Sequence, residues 1–500
     1  MYDARPYSIH QWRQTDCASF TKNYYEEGMD FFKPKIHWQG NIDGKAISEF
    51  PLINYSVACL WKMFGEHEFL YRFTILSIYS IAILFLFAMI YVGSNSLLYS
   101  YFATSLFLTS PLLAYYSFNF LADIPSLSFA IIALSLFFIF MKNKRSNLFF
   151  LAVLFATLAT LLKASSATVL LIIGIISMIN VLQFPKKLIV ESFLFKNKII
   201  PVLTFLISFV IIYLWYHYAF LYNNKNSNGV FLMETLPIWK MKDKVIETAR
   251  LLVSVQFQMC FNKPVICAIT LSFIWLLFNL KTINSNLKIA LIISCISFSA
   301  FIVLFFQVFD VHDYYLINTM IFPIIILTAF GSHFLSISFR FNNRKLIIIL
   351  SLVFIANTAY CASIMRLRNI NKDNFCKYYP LITNDEKNFS DWQHWHYENT
   401  LKPFETITPY LRTLGIKRTD KVVSVPDPSF NITLYLMDQK GFTATENQLK
   451  NDSLILGNYK RLGAKYLIVN DTAIFPAINI HHQLINKIGV YKNIVIYRID

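Results

Sequence analysis

Charge is what this sequence has least of. Only 15% of its 500 residues are Asp, Glu, Lys or Arg, while 56% are hydrophobic, and the mean hydropathy is +0.47. A water-soluble globule is closer to roughly one quarter charged, so this scarcity excludes one and makes the chain polytopic. Paired cysteines are also lacking. Cys17, Cys59, Cys260, Cys267, Cys295, Cys361 and Cys376 form no CxxC motif, which excludes a metal knuckle or disulfide framework and leaves the redox compartment open. Residues 1–48 have no apolar core, so no cleavable signal peptide is expected. No internal repeat is visible, and with it goes the symmetry that many transporters display.

Apolar runs are what the chain holds in quantity. They fall at 73–92, 97–117, 120–141, 147–162, 166–182, 199–221, 263–280, 288–308, 315–338 and 345–364. A bilayer core requires about 20 residues, so these make candidate spans, with two of them short. Residues 50–64 are apolar but shorter still, and read as an interfacial helix lying on the membrane.

The 45 basic residues outnumber the 29 acidic ones, for a net charge of +16. In a soluble protein that would suggest nucleic acid. Here the basic residues cluster in short loops: Lys142, Lys144 and Arg145; Lys186, Lys187, Lys196 and Lys198; Lys281 and Lys288; Arg340, Arg344 and Lys345. These loops alternate consistently, which assigns them to the cytoplasmic side and removes the case for a nucleic-acid partner. The opposite face then gathers the polar opening, the turn near Asp123, Lys163, segment 222–262, the turn 309–314 and everything after 365.

The expected division is an external catalytic loop with its interfacial helix at 1–70, a transmembrane helical domain at 71–364, and an extracytoplasmic α/β domain at 365–500. The first part reads as loop-like, with Thr15 capping a short helix from about Asp16 to Glu27. The last carries strand patterns at 421–425, 466–470, 488–491 and 493–498, a helix pattern at 404–414, and turns at Gly415, Gly441 and Gly463.

Four places on the outer face hold residues with chemical potential. Asp16, beside Trp12, Arg13 and Gln14, is either a surface carboxylate paired with Arg13 or a general base within reach of an acceptor hydroxyl. Asp123 lies where one span leaves the membrane and the next returns; an acid there is functional by default, or caps the next helix ahead of Pro125. Lys163 ends an apolar run on the side away from the basic loops, where it snorkels to the interface or binds phosphate. In Asp310-Val-His-Asp-Tyr-Tyr, His312 and Asp313 could contact phosphate or metal, or belong to an interfacial belt. No paired-histidine spacing supports zinc; no cofactor is assigned, and a divalent metal is left open. Trp392, His394, Trp395 and His396 could stack on a sugar, although docking on the membrane surface fits them better.

In order along residues 8–340, these motifs resemble the GT-C membrane glycosyltransferases of the protein O-mannosyltransferase and aminoarabinose transferase type (glycosyltransferase family 39-like). The matching stretches are Trp-Arg-Gln-Thr-Asp at 12–16, Tyr-Tyr-Glu-Glu-Gly at 24–28, Ser-Glu-Phe-Pro-Leu at 48–52, Phe-Gly-Glu at 64–66 with Arg72, Ala-Asp-Ile-Pro at 122–125, Leu-Leu-Lys at 161–163 and His-Asp-Tyr-Tyr at 312–315. The resemblance implies a polytopic α-helical membrane protein with a C-terminal soluble α/β domain. It would reside in the cytoplasmic (inner) membrane, with its active face extracytoplasmic. Its reaction would move a sugar from a polyprenyl-phosphate donor to a glycan, lipid or protein acceptor, usually with inversion. Asp16 inherits the role of base, with Asp123 as second acid and Glu49 lining the same cavity. Lys163, Arg13 and His312 would bind the donor phosphate, and Trp12, Tyr314 and Tyr315 the substrate.

Two departures qualify the resemblance. Family members carry a transmembrane helix ahead of the aspartate loop, whereas this sequence begins inside that loop, as an upstream start or a shortened, inactive form would. Aminoarabinose transferases place lysine directly after the glutamate matched by Glu49, and here Phe50 follows. The competing functional class is a transporter of lipid or sugar, which would place its charges at mid-span.

Overall fold

The protein is described by a computed structural model that covers residues 3–40, 43–183, 193–226, 231, 234–337, 344–369, 382–451, 455–470 and 486–499. Cys376, Lys186, Lys187 and Arg340 lie outside the described residues.

The helix expected from about Asp16 to Glu27 is present but begins earlier, within the stretch read as loop. Helix α1 (Gln11–Glu27) starts five residues before Asp16 and takes in both Asp16 and Thr15. Thr15 does not cap it: its hydroxyl donates back to the carbonyls of Gln11 (3.0 Å) and Trp12 (2.7 Å), the bonding of a threonine inside a helix. The sequence disguised α1 because its buried residues include Gln14, Thr15, Asp16, Ser19, Thr21, Lys22 and Asn23. Such a helix has no apolar stripe to betray it and depends on polar partners brought from elsewhere. Helix α2 (Leu52–Phe64) follows, with Ile53, Val57, Ala58 and Trp61 buried while Met63 and Phe64 remain exposed.

Seven helices are long and apolar enough to cross a membrane, and two bent pairs raise the total to as many as nine among the described residues. The protein is therefore a multi-pass membrane protein. Helix α3 (Glu68–Ser94) has 27 residues, about 40 Å at 1.5 Å per residue. The first bent pair is α4 (Leu97–Leu108) with α5 (Pro111–Ser117), turned by 65°. Helix α6 (Asp123–Asn143) is the centre of the bundle, with 78% of its apolar window buried against 22% for Ile199–Lys225. It packs against α3 and against α7 (Ser146–Leu162), a shorter apolar helix. Small polar residues allow the close approach. Ser126 donates to the Ala159 carbonyl at 2.9 Å, its hydroxyl lies 2.7 Å from that of Ser166, and Ser166 donates to Asn318 at 2.9 Å. This ladder joins α6 to α7, to the turn before α8 (Ala167–Leu182), and to the 3-10 segment Asp313–Met320.

Because α6 runs from Asp123 to Asn143 and α7 returns from Ser146, Asp123 and Lys163 share one end of the bundle and Lys142, Lys144 and Arg145 occupy the other. The remaining spans are the bent pair Val245–Cys260 with Lys263–Phe278, then Ser285–Leu304, Asp313–Phe334 and Ile347–Asn369.

The C-terminal part holds a five-stranded sheet of order β2-β1-β3-β5-β4, with β1 (Lys421–Val425), β2 (Gly441–Thr443), β3 (Ala464–Val469), β4 (Asn486–Tyr491) and β5 (Ile494–Arg498). Strand β1 runs parallel to β2 and β3, while β5 is antiparallel to β3 and β4. Gly441, read as a turn, opens a strand instead. A Cβ at this position would lie 1.9 Å from the Val422 carbonyl oxygen, so only glycine permits the approach. The helix expected at 404–414 divides into a 3-10 turn at Lys402–Glu405 and a helix at Thr408–Thr413 that carries Pro409 in its first turn. The sheet edge is tied to the opening segment: Gln39 N–H donates to the Gly441 carbonyl (2.8 Å) and Gly441 N–H to the His37 carbonyl (3.2 Å).

Candidate active site

Five charged side chains form a chain of alternating sign at one end of the bundle. Asp16 Oδ2 lies 3.9 Å from Arg13 Nη1. Arg13 donates to Glu49, and to Ser48 Oγ at 2.7 Å. Lys163 Nζ lies 2.7 Å from Glu49 Oε1 and 3.3 Å from Asp123 Oδ2. Four parts of the chain supply them: Arg13 and Asp16 come from successive turns of α1, Glu49 from the segment entering α2, Asp123 from the start of α6 and Lys163 from the residue closing α7. Three carboxylates face two cations, so the cluster carries surplus negative charge, and Asp16 sits at the end with the longest ion pair.

The carboxylates respond differently to the same burial. Burial pushes the Asp16 carboxyl up to about 7, against the opposing pull of Arg13 and the hydrogen bond from Asn431. Burial acts on Glu49 too, but Arg13 and Lys163 outweigh it and hold that carboxyl at about 2. Glu49 is thus a permanent anion that clamps two cations, while Asp16 can exchange its proton near neutrality. Asp123 is the first helical residue of α6 and Ala122 occupies the cap position with no side-chain bond, so the capping alternative is set aside. Its charge still suits the helix N-terminus.

Beside this cluster stands a second one. Asp313 accepts from Arg368 Nη2 (2.8 Å) and from the Tyr116 hydroxyl, and lies 3.1 Å from His10 Nε2. The His10 ring is 5.2 Å from that of His312 and 5.0 Å from that of Tyr314, and Tyr314 is 4.9 Å from Tyr315. Burial first, then the charges of His10 and Arg13, lower the His312 imidazolium to about 4, leaving a neutral ring at pH 7. Trp12 is 40% exposed and meets Phe430 edge-on at 5.2 Å. Among the described residues no group of three or more His, Cys, Asp or Glu could hold a metal ion. The histidine and tryptophan group divides: His394 is buried against the Leu367 carbonyl (3.1 Å), whereas Trp392 and Trp395 are exposed.

The residues that sequence reasoning missed are His10, Asn431 and Phe430. Asn431 Nδ2 donates to Asp16 Oδ1 at 2.7 Å from 415 residues away. Nothing near it in the sequence signals this contact, and its place is set by the sheet and its loops.

No family model and no curated sequence matches the chain. The fold does match solved structures. ArnT from Cupriavidus metallidurans in the apo state superposes with a TM-score of 0.58 at 10% identity, over 100% of this chain and 95% of that one. The same protein bound to undecaprenyl phosphate gives 0.56 at 11% identity, over the same shares of each chain. The oligosaccharyltransferase of Archaeoglobus fulgidus in the apo form gives 0.53 at 12% identity, over 94% of this chain and 66% of its own length. The likeness is one of architecture: the chain has the GT-C fold of membrane glycosyltransferases.

Proposed function

We propose that this chain is a glycosyltransferase that moves a sugar from a polyprenyl-phosphate donor to an acceptor hydroxyl or amine on the extracytoplasmic face of the inner membrane. The acceptor is a glycan, a lipid or a protein. The observation that carries the reading is the alternating cluster, which ends on a buried carboxylate that titrates near neutrality and holds two cations a few ångströms away. A solved structure with the same fold contains undecaprenyl phosphate, which favours this donor class. The sidedness rests on the placement of Asp123 and Lys163 at the bundle end away from Lys142, Lys144 and Arg145. We keep the division into an external catalytic segment at 1–70, a membrane domain at 71–364 and an outer α/β domain at 365–500.

The chemistry follows from the charges. Asp16 takes the proton of the acceptor as its oxygen or nitrogen attacks the anomeric carbon. The bond from that carbon to the phosphate oxygen breaks, and the polyprenyl phosphate departs with the electron pair. One displacement inverts the anomeric centre. A phosphate leaves readily as an anion, so the site needs cations more than a strong acid. Lys163 and Arg13 supply them, fixed in place by Glu49. Asp123 orients Lys163, His312 contributes an N–H as a neutral donor, and Trp12, Tyr314 and Tyr315 offer surfaces for the sugar and acceptor. The exposed side of α2 guides the prenyl chain. No metal is assigned.

Membranes carrying Asp16→Asn test the reading. Transfer from a polyprenyl-phosphate sugar should fall at least about 100-fold, the usual contribution of a positioned base, while the protein still inserts. Unchanged transfer would remove Asp16 from the role. Saturable uptake of the sugar into vesicles, with no chemical conversion, would replace the transferase with a transporter.

A further inference from the structure

Asn431 belongs to the C-terminal domain, yet it is fully buried against the opening helix. Its Nδ2 donates to Asp16 Oδ1 at 2.7 Å. Its Oδ1 accepts from the backbone N–H of Trp38 (3.2 Å) and from Ser19 Oγ (3.3 Å). A backbone N–H can only donate, so the amide has one orientation, with its oxygen toward Trp38 and its NH2 toward the carboxylate.

The loop that presents Asn431 is braced. Asp427 Oδ1 accepts from the backbone and hydroxyl of Ser429 (2.7 and 2.6 Å), and its Oδ2 accepts from those of Thr433 (3.0 and 2.6 Å). Thr443, on β2, donates to the Ser429 carbonyl at 2.6 Å. The domain itself is latched to α1 by charge. Lys22 lies 3.5 Å from Asp438, Arg418 is 3.6 Å from Glu27, and Lys440 pairs with Glu27.

We infer that Asn431 is a positioning residue for Asp16: its amide occupies Oδ1 and leaves Oδ2 to receive the proton, so that the C-terminal domain completes the active site. This rests on the glycosyltransferase reading above. A carboxylate with both oxygens free would divide its time between orientations, and one held by a fixed donor presents a single lone pair to the acceptor. The donated hydrogen bond also favours the charged carboxylate over the acid. The groups that face Asp16 are Arg13 and Cys17 from α1, Glu49 from the segment before α2, Asp427 and Asn431 from the C-terminal domain, with Lys163 and Asp123 beyond Glu49. Among these, Asn431 gives Asp16 its shortest contact.

The test is the pH profile of sugar transfer by the full chain in membranes, for the wild type, Asn431→Ala, Asn431→Asp and Lys440→Ala. Asn431→Ala should raise the midpoint of the acid limb by about one pH unit, so that transfer falls about tenfold below the limb and recovers in alkali. Asn431→Asp keeps the size and the acceptor oxygen but places a second carboxyl against the first, and should raise the midpoint further. Lys440→Ala removes one latch while Lys22–Asp438 and Arg418–Glu27 still hold the domain, and should leave the midpoint at its wild-type value. Equal midpoints in all four proteins, or a loss of the same size at every pH, would overturn the positioning role.

An infrared titration of the protonated carboxyl stretch, taken as the difference from Asp16→Asn, reads the same shift without activity. If the wild type transfers no sugar, the functional reading fails, while the infrared midpoints of Asn431→Ala and wild type still decide the role of Asn431. A shift supports it and coincidence overturns it.

Discussion

Glu49 and Asp16 share one arginine, and the two sides of that arginine differ. On one side, Glu49 is met by Arg13, Lys163 and the Ser48 hydroxyl, whose oxygen lies 2.9 Å from Oε2. On the other side, Asp16 has a 3.9 Å ion pair and a neutral amide. Both are buried, so what separates them is the number of cations within reach. The first region is a clamp in which charge is cancelled. The second holds a carboxyl whose burial is only partly compensated, and there a proton can be given and taken at physiological pH. Asp313 repeats the lesson: with Arg368, His10 and Tyr116 around it, it ties the span starting at Asp313 to the end of another and has no oxygen left over.

This contrast can be broken most severely at its reactive end. Asp16→Asn, with the loss of transfer set out above, should leave donor binding nearly intact, because the cations remain; a donor-binding assay with the isolated variant checks the second half. Lys163→Met attacks the clamp instead. It leaves Asp123 and part of Glu49 as buried unpaired charge, and loss of one partner of a buried pair costs about 3–5 kcal/mol. Thermal unfolding in detergent should therefore fall by several degrees, and the KM for the donor should rise more than kcat falls.

The two carboxylates also predict opposite stability against pH. Asp16 has a raised carboxyl in the folded state, so its stabilising contribution is present below its ordinary value of 3.8 and is lost as pH rises through about 7. Glu49 has a lowered one, so its contribution is present above 4.5 and is lost as pH falls through about 2. At pH 8, Asp16→Asn should melt above the wild type, by on the order of a few kcal/mol of stability, and Glu49→Gln below it. At pH 4 the Asp16→Asn advantage should be gone. Melting curves of the three proteins at pH 4, 6 and 8 measure this, and parallel curves would mean that the two environments do not differ. The smallest effect is expected at the mouth. Trp12→Ala removes a half-open ring that touches Phe430, and should change the acceptor KM a few-fold with no shift of the pH profile.

Much of the membrane part was legible because hydrophobic length is a one-dimensional signal. The spans, a helix at α2 and the gathering of Asp16, Asp123 and Lys163 at one end follow from apolar runs punctuated by charge, whereas Glu49 joined them only through the resemblance. Helix α1 was legible only from about Asp16 onward; its first turn was not, since its buried face is polar and Gln14 and Asp16 find partners as far off as Tyr115 and Asn431. The same reason hides Asn431, which sits in a turn of ordinary composition. Strand β2 was missed because Gly441 reads as punctuation until Val422 is seen behind it. The roles of the site residues stay with the experiments above.

The hydrogen bond between Asp16 and Asn431 spans 415 residues. Ribosomal synthesis adds roughly 5–20 residues per second, so the acid emerges tens of seconds before its amide exists. During that interval the helices bearing the other charges can already be made, yet Asp16 lacks its hydrogen bond from Asn431. Under the proposed reading, a chain that ended before residue 431 would hold every acid of the cluster but no amide to aim Asp16.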